Sequence, residues 1–251
     1  AFGVKSKDRQ EMQNSGRFIH IPRQVLRQRI LEAVRPDTIR WSSKLKSYDD
    51  GEKDRVTVTL MDDTKIEGAL LIGSDGIFST VRRQLELPGD RLNYVGLCVV
   101  LGIVDDEILE IPLAKRRIFE TVDGTTRIYA MPFTIKSTMW QLSFPCSEET
   151  ARMYTKDAAT LKAEITRRCA KWHDPIPEML TKTPLKCMSG YPVYDRELLE
   201  TEVLRPKQSI SRRVTIIGDA AHPMTPFKAQ GANQAISDAV LLANALVEGV
   251  G

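Results

Sequence analysis

The stretch from Val214 to Leu246 constrains this chain more than any other. Val214-Thr215-Ile216-Ile217 is a short apolar run of the kind that forms a buried strand. It ends at Gly218, and Asp219 then places a carboxylate where open α/β sheets bind ligands, at the C-terminal end of a strand. Ala220 and Ala221 are small and permit close approach by something flat or bulky, and Pro226 stiffens the loop that follows. A helix opens at Gly231-Ala232-Asn233 and carries Ala235, Ile236, Ala239, Val240, Ala243 and Leu246 on one face. Its free first-turn N–H groups and positive dipole end suit a phosphate or the partial negative charge of a heterocycle. The Asp219 carboxylate suits a sugar or polyol hydroxyl.

The rest of the composition narrows the setting. Apolar residues make up 42% of the 251 and charged residues 27%, which is ordinary globular usage. The formal net charge of +3 is too small and too evenly spread to argue for nucleic acid or an anionic membrane as partner. The longest nearly unbroken apolar run, Val95 to Val104, is about half of the ~20 residues that span a bilayer, and the start shows no signal-peptide pattern. Cys98, Cys146, Cys169 and Cys187 are scattered without a CxxC, which argues against a disulfide framework or a cysteine zinc site and for a reducing, cytoplasmic compartment. His20, His173 and His222 form no metal pattern, and no metal is expected; His222 reads as a loop histidine with a structural hydrogen bond.

Along the chain, residues 1–16 are polar and irregular. The pattern predicts a helix over 23–35, with Leu26, Ile30, Ala33 and Val34 on one face and Pro36 as its stop. Strands are expected at 38–48, 54–60 and 66–72, with a turn at Asp62-Asp63. A short helix is expected around Ser79–Gln84, for which Asp75 is a candidate N-cap. From about residue 89 the pattern changes to consecutive strands near 95–104, 117–122, 126–132 and 139–144, which indicates an antiparallel sheet packed by the aromatic residues of 129–144. A helix at 157–171 and an extended segment at 186–195 follow. Lys115-Arg116-Arg117 and Ser211-Arg212-Arg213 read as solvated charge clusters. The fold class is α/β plus β: residues 1–88 and 191–251 form one domain of α/β character, and 89–190 an inserted, mainly antiparallel one.

The segment Gly218-Asp219-Ala220-Ala221-His222, continuing through Pro226, Gln230-Gly231, Asn233 and Asp238, resembles the second FAD signature of the flavin-dependent aromatic-ring hydroxylases, the single-component FAD monooxygenases. Gly73-Ser74-Asp75-Gly76 with Ser79, Val81 and Arg82 resembles their Asp-Gly signature, which is associated with both FAD and NAD(P)H. Arg23 and Leu26 resemble the family's R..L helix start, whose arginine contacts the flavin. The resemblance implies a partial FAD-binding, Rossmann-like three-layer domain with the β-sheet insertion as substrate domain. It implies cofactor contacts from Arg23, Asp75, Gly76, Gly218, Asp219, Ala220, Pro226, Gly231, Ala232 and Asn233. It further implies an enzyme that takes hydride from NAD(P)H and reacts with O2 to give a flavin C4a-hydroperoxide. The hydroxyl then goes to an electron-rich, aromatic small molecule.

Two departures stand out. Ala229 occupies the place of the first glycine of the family's GQG. No G.G..G turn precedes the matched segments, so the chain is expected to be a piece lacking the family's N-terminal nucleotide-binding unit, and to bind FAD poorly alone. Two other readings stay open: a reductase of the same fold without oxygen insertion, and a non-catalytic or truncated flavin-fold module. The substrate, the choice between NADH and NADPH, and the oligomeric state are not legible.

Overall fold

The computed structural model describes residues 21–51, 54–111, 118–200, 203 and 213–249. The polar start at 1–16, His20, Lys115-Arg116-Arg117, Ser211-Arg212 and Val250-Gly251 lie outside the described residues. In chain order the elements are α1 (Arg23–Ala33), β1 (Leu45–Asp49), β2 (Val56–Leu60), β3 (Lys65–Gly68), β4 (Leu71–Gly73), α2 (Thr80–Gln84), β5 (Leu92–Asp105), β6 (Phe119–Val122), β7 (Arg127–Thr134), β8 (Ser137–Pro145), α3 (Glu148–Lys156), α4 (Ala158–Arg168), α5 (Ile176–Lys182), β9 (Met188–Arg196), β10 (Val214–Ile216) and α6 (Gly231–Glu248). The fold is mixed α/β. Its sheets are ordered β1-β2-β3, β10-β4 and β6-β7-β8-β5-β9, and the five-stranded one is antiparallel.

Several expectations are corrected. The strand expected at 38–48 is confined to β1; ahead of it Ser42 has a positive φ of 56°, which breaks an extended run. The strand expected at 66–72 is two strands serving different sheets. β3 pairs antiparallel with β2, whereas β4 pairs parallel with β10, Leu71 opposite Val214. Two helices carry signals that periodicity over long windows passes over. α3 begins behind Ser147, whose side chain accepts the Thr150 N–H at 3.2 Å, with Glu148 and Glu149 in the first turn. α5 is held by Ile176, Met179 and Leu180, all fully buried at i, i+3 and i+4.

The chain forms two compact units. One comprises Ala1–Thr38, Val100–Leu142 and Ala158–Ser189, the other Ile39–Val99, Ser143–Asp157 and Gly190–Gly251. The first unit has its core in Ile128, Trp140 and Leu142 of the sheet and in Leu161, Ile165, Met179 and Leu180 of the helices. The second has a core cluster of Tyr48, Val56, Val81 and Val214, against which Leu45, Val58, Leu71, Leu85 and Ile216 pack. Each such aliphatic side chain contributes about 1.5–3 kcal/mol on full burial. This cluster holds β4, β10 and α2 together and thereby fixes the strand end from which Gly218 and Asp219 project. Among the described residues, no helix is long and apolar enough to cross a membrane.

The turn at Gly218 and the cavity beside it

Gly218 follows β10 with φ +58°, in the left-handed region that glycine enters without steric cost. A Cβ there would also stand 3.0 Å from the Cβ of Ala235 on α6. The close approach lets Asp238, one turn further along α6, accept the Gly218 N–H at 2.8 Å and a bond from His222 Nε2 at 2.6 Å. Burial acts to raise the Asp238 pKa, but the Gly218 N–H and His222 outweigh it and hold the carboxyl below its ordinary value. His222 thus has the structural role expected for it. These bonds also set the rotation of α6: Ala235 and Asp238 face the turn, while Ile236 and Val240 of the expected apolar face are 45% and 55% exposed.

The other side of the turn is held by a residue not singled out as a site residue above. Arg82 of α2, 1% exposed, donates through Nη1 to the carbonyl of Ala220 at 3.0 Å and to that of Ala221. Its Nε donates to Asp90 at 3.1 Å, and Asp90 also takes Arg196 at 2.8 Å. Arg82 Nη2 lies 3.1 Å from the same Asp90 oxygen but makes no hydrogen bond.

Between these two anchors sits Asp219. Its carboxylate accepts no hydrogen bond among the described residues and lines a cavity of about 540 Å³, together with Pro223, Met224 and Pro226. A Cβ on Gly231 would lie 3.6 Å from Asp219 Oδ1, so the strand-end carboxylate and the tip of α6 are neighbours. No side chain caps α6, which leaves first-turn N–H groups at Gly231, Ala232 and Asn233. Ala220 is fully buried behind the carboxylate. An unpaired acceptor beside uncapped donors at a cavity mouth fits a ligand carrying both hydroxyls and an electron-rich edge.

Asp75 stands differently. Oδ1 accepts Ser79 Oγ–H at 2.5 Å and Oδ2 accepts the Thr80 N–H at 2.6 Å, so both oxygens serve the start of α2. Gly76, at φ +81°, makes the bend between them. Ile77 and Phe78, next in the chain, line the Asp219 cavity. Arg23 is exposed at the first position of α1 and belongs to the other compact unit.

Ala229 adopts φ 52°, ψ 30°, the left-handed conformation that its place in the motif requires of glycine. A non-glycine residue there costs about 1–2 kcal/mol, part of which glycine gives back through its greater freedom in the unfolded chain. Ala229→Gly is therefore expected to stabilise the protein by about 0.5–1 kcal/mol, a melting-temperature rise of roughly 2 °C. Calorimetry on the two forms checks this; an unchanged or lower melting temperature would contradict the strain.

Comparison with known proteins gives a family and several relatives. A family described as an FAD binding domain matches residues 4–250. Aurachin C monooxygenase/isomerase of Stigmatella aurantiaca is 31% identical over 232 residues, which are 91% of this chain and 55% of that protein. Chloroplastic zeaxanthin epoxidase of Nicotiana plumbaginifolia is 32% identical over 225 residues, 89% of this chain and 31% of that one. Among solved structures, Klebsiella pneumoniae HpxO complexed with FAD and uric acid superposes with a TM-score of 0.74 at 25% identity, covering 88% of this chain and 53% of that chain. The chain thus spans from about a third to just over half the length of these relatives.

Proposed function

The chain belongs to the FAD-binding-domain family of flavin-dependent monooxygenases, and from that premise we propose that the whole protein hydroxylates an electron-rich, aromatic small molecule with NAD(P)H and O2. One oxygen atom enters the substrate, the other leaves as water, and NAD(P)H supplies the electron pair. FAD, when bound, supplies hydride acceptance and oxygen activation. The residues of this chain position and shield it. Asp219 takes a ribityl hydroxyl or the neighbouring phosphate region. The N–H groups at Gly231–Asn233 stabilise negative charge on the electron-rich edge of the ring, and Pro226 lies beside it. Asp75 and Gly76 shape the turn behind the cavity, and Arg23 contacts the cofactor from α1.

The carrying observation is the unpaired Asp219 carboxylate at the cavity beside Gly231. The proposal extends to architecture: β4 and β10 belong to a Rossmann-like three-layer FAD domain of residues 1–88 and 191–251, and residues 89–190 form the substrate domain. The relatives' names include monooxygenase, epoxidase and isomerase, so the reading stays at oxygen insertion without a named substrate.

Asp219→Ala removes a charged acceptor for ligand hydroxyls, each such bond being worth about 1.5–3 kcal/mol. FAD affinity of the whole protein is expected to fall about tenfold to a hundredfold, read from the bound flavin's visible absorbance. Normal occupancy in that variant overturns the role of Asp219. NAD(P)H oxidation matched by oxygenated product supports the monooxygenase; oxidation without product supports a reductase instead.

A further inference from the structure

One buried polar group in the five-stranded sheet is left over by the fold and by the flavin contacts proposed above. Gln141 of β8 is 5% exposed, and its Nε2 has no hydrogen-bond partner. Its neighbours in the strand, Trp140 and Leu142, are fully buried in the core that the sheet shares with the helices. Side chains alternate across a strand, so Gln141 points to the opposite face. Tyr129 of β7 lies on that face too, because its own neighbours Ile128 and Ala130 are fully buried. The Tyr129 O–H donates to Gln141 Oε1 at 3.1 Å. That bond engages the carbonyl end of the amide and leaves the NH2 end unused. A buried donor without an acceptor is costly, and native folds keep few of them.

By the same alternation Met131, Phe133 and Met139 lie on this face, half-buried like Tyr129. All of these belong to one compact unit. Aromatic rings and flexible thioethers make a floor on which a flat ring packs, the methionines yielding to its outline. Arg127, also on this face, stands 5.2 Å over the Tyr129 ring and is bonded to Glu120 at 2.5 Å, so its charge is already balanced. An apolar floor with one amide donor and a neutralised cation suits a neutral acceptor rather than a carboxylate or phosphate. We infer that this face of the sheet holds the flat ring of the substrate, with Gln141 Nε2 donating to a carbonyl oxygen on that ring. Tyr129 is the positioning residue that fixes the amide. The inference deepens the flavoenzyme reading above and rests on it.

The test uses the whole, FAD-loaded protein and two pairs of probes, 2-quinolone against quinoline and 2-pyridone against pyridine. The members of each pair differ by the ring carbonyl. Binding is measured by calorimetry and by the shift of the flavin's visible spectrum. The unaltered protein is expected to bind the carbonyl member about tenfold more tightly. Gln141→Leu keeps the bulk and removes the donor, and should bring the two members within about twofold of each other. Tyr129→Phe releases the amide to rotate and should lower the preference by a few-fold. Both variants should keep their FAD. A preference that survives in Gln141→Leu overturns the inference, and with a lowered melting temperature it makes Gln141 a structural residue. Should Gln141→Leu fail to fold, an undiminished preference in Tyr129→Phe overturns the inference instead. So does an unaltered protein that binds neither probe of either pair, or both members equally. Absence of FAD from the unaltered protein sinks the flavoenzyme reading, while the calorimetric preference still decides whether Gln141 reads a carbonyl.

Discussion

Arg82→Ala is expected to cost about 2–4 kcal/mol of stability, because a buried donor to two carbonyls and a carboxylate is removed and each bond to a charged group is worth about 1.5–3 kcal/mol. The side chain is 1% exposed and Asp90 is 13% exposed, so solvent cannot replace what is lost. Two carbonyls, those of Ala220 and Ala221, lose the donor that holds them. Asp90 keeps Arg196, which itself donates to the Ile77 carbonyl at 3.1 Å, so the damage concentrates on the turn rather than spreading through β9. That turn carries Asp219, pinned by Arg82 on one side and by Asp238 on the other. With one pin gone, the carboxylate loses its preset position, and the whole protein's FAD content should fall as well. Arg82→Lys keeps a charge but replaces the planar fork by a point donor, so it should recover less than half of the lost stability. Denaturant unfolding and flavin absorbance of the variants read both effects. Unchanged midpoint and flavin content in Arg82→Ala would show that the guanidinium holds nothing.

Why Arg82 escaped a reading of the sequence, while Asp219 did not, follows from what each depends on. Asp219 and Gly231 are set by a strand end and a helix start, and both leave local signals: an apolar run broken at Gly218, and a polar loop before a patterned helix. Arg82 reaches carbonyls 138 and 139 residues away, and no spacing or periodicity encodes that. The only signal was its place at the end of the Asp-Gly signature. Asp238 was quoted in the motif for the same reason, without its bond to the Gly218 amide being legible. The rotation of α6 was half legible for a related cause: Ala235 of the expected apolar face does meet Gly218, but the Asp238 carboxylate–amide bond beside it draws the helix round so that Ile236 and Val240 of the same face stay exposed. Conversely, β2, β7 and β8 were legible because alternation and flanking turn residues are properties of the segment itself. The strand at 66–72 was half legible: its residue types are right, but the change of partner at Ala69-Leu70 is decided by β2 and β10.

Gly102→Ala should be nearly as damaging, in the other compact unit. Gly102 lies in β5 beside β8, and the indole of Trp140 covers it. A Cβ built on Gly102 would stand 2.2 Å from Trp140 Cε2 and Cζ2, a separation no packing tolerates. Glycine in a strand weakens it, so its presence here marks the close approach of the ring. The indole has nowhere to retreat. Trp140 is fully buried, and its Nε1–H donates at 2.9 Å to Thr183 Oγ1, which in turn donates to the Met179 carbonyl at 2.7 Å. Moving the ring breaks the first bond, worth about 1–1.5 kcal/mol, and shifts neighbours in a close-packed core, which costs a further 1–3 kcal/mol. The expected loss is about 3 kcal/mol. Trp140→Phe shortens the ring system and forfeits the same bond, but leaves Thr183 its bond to Met179. If overlap with the indole is the cause, Gly102→Ala combined with Trp140→Phe should be less destabilised than the sum of the single variants, by about 1 kcal/mol or more. Strict additivity in denaturant unfolding would place the cost of Gly102→Ala in the backbone of β5 instead, and the indole would then be only a neighbour.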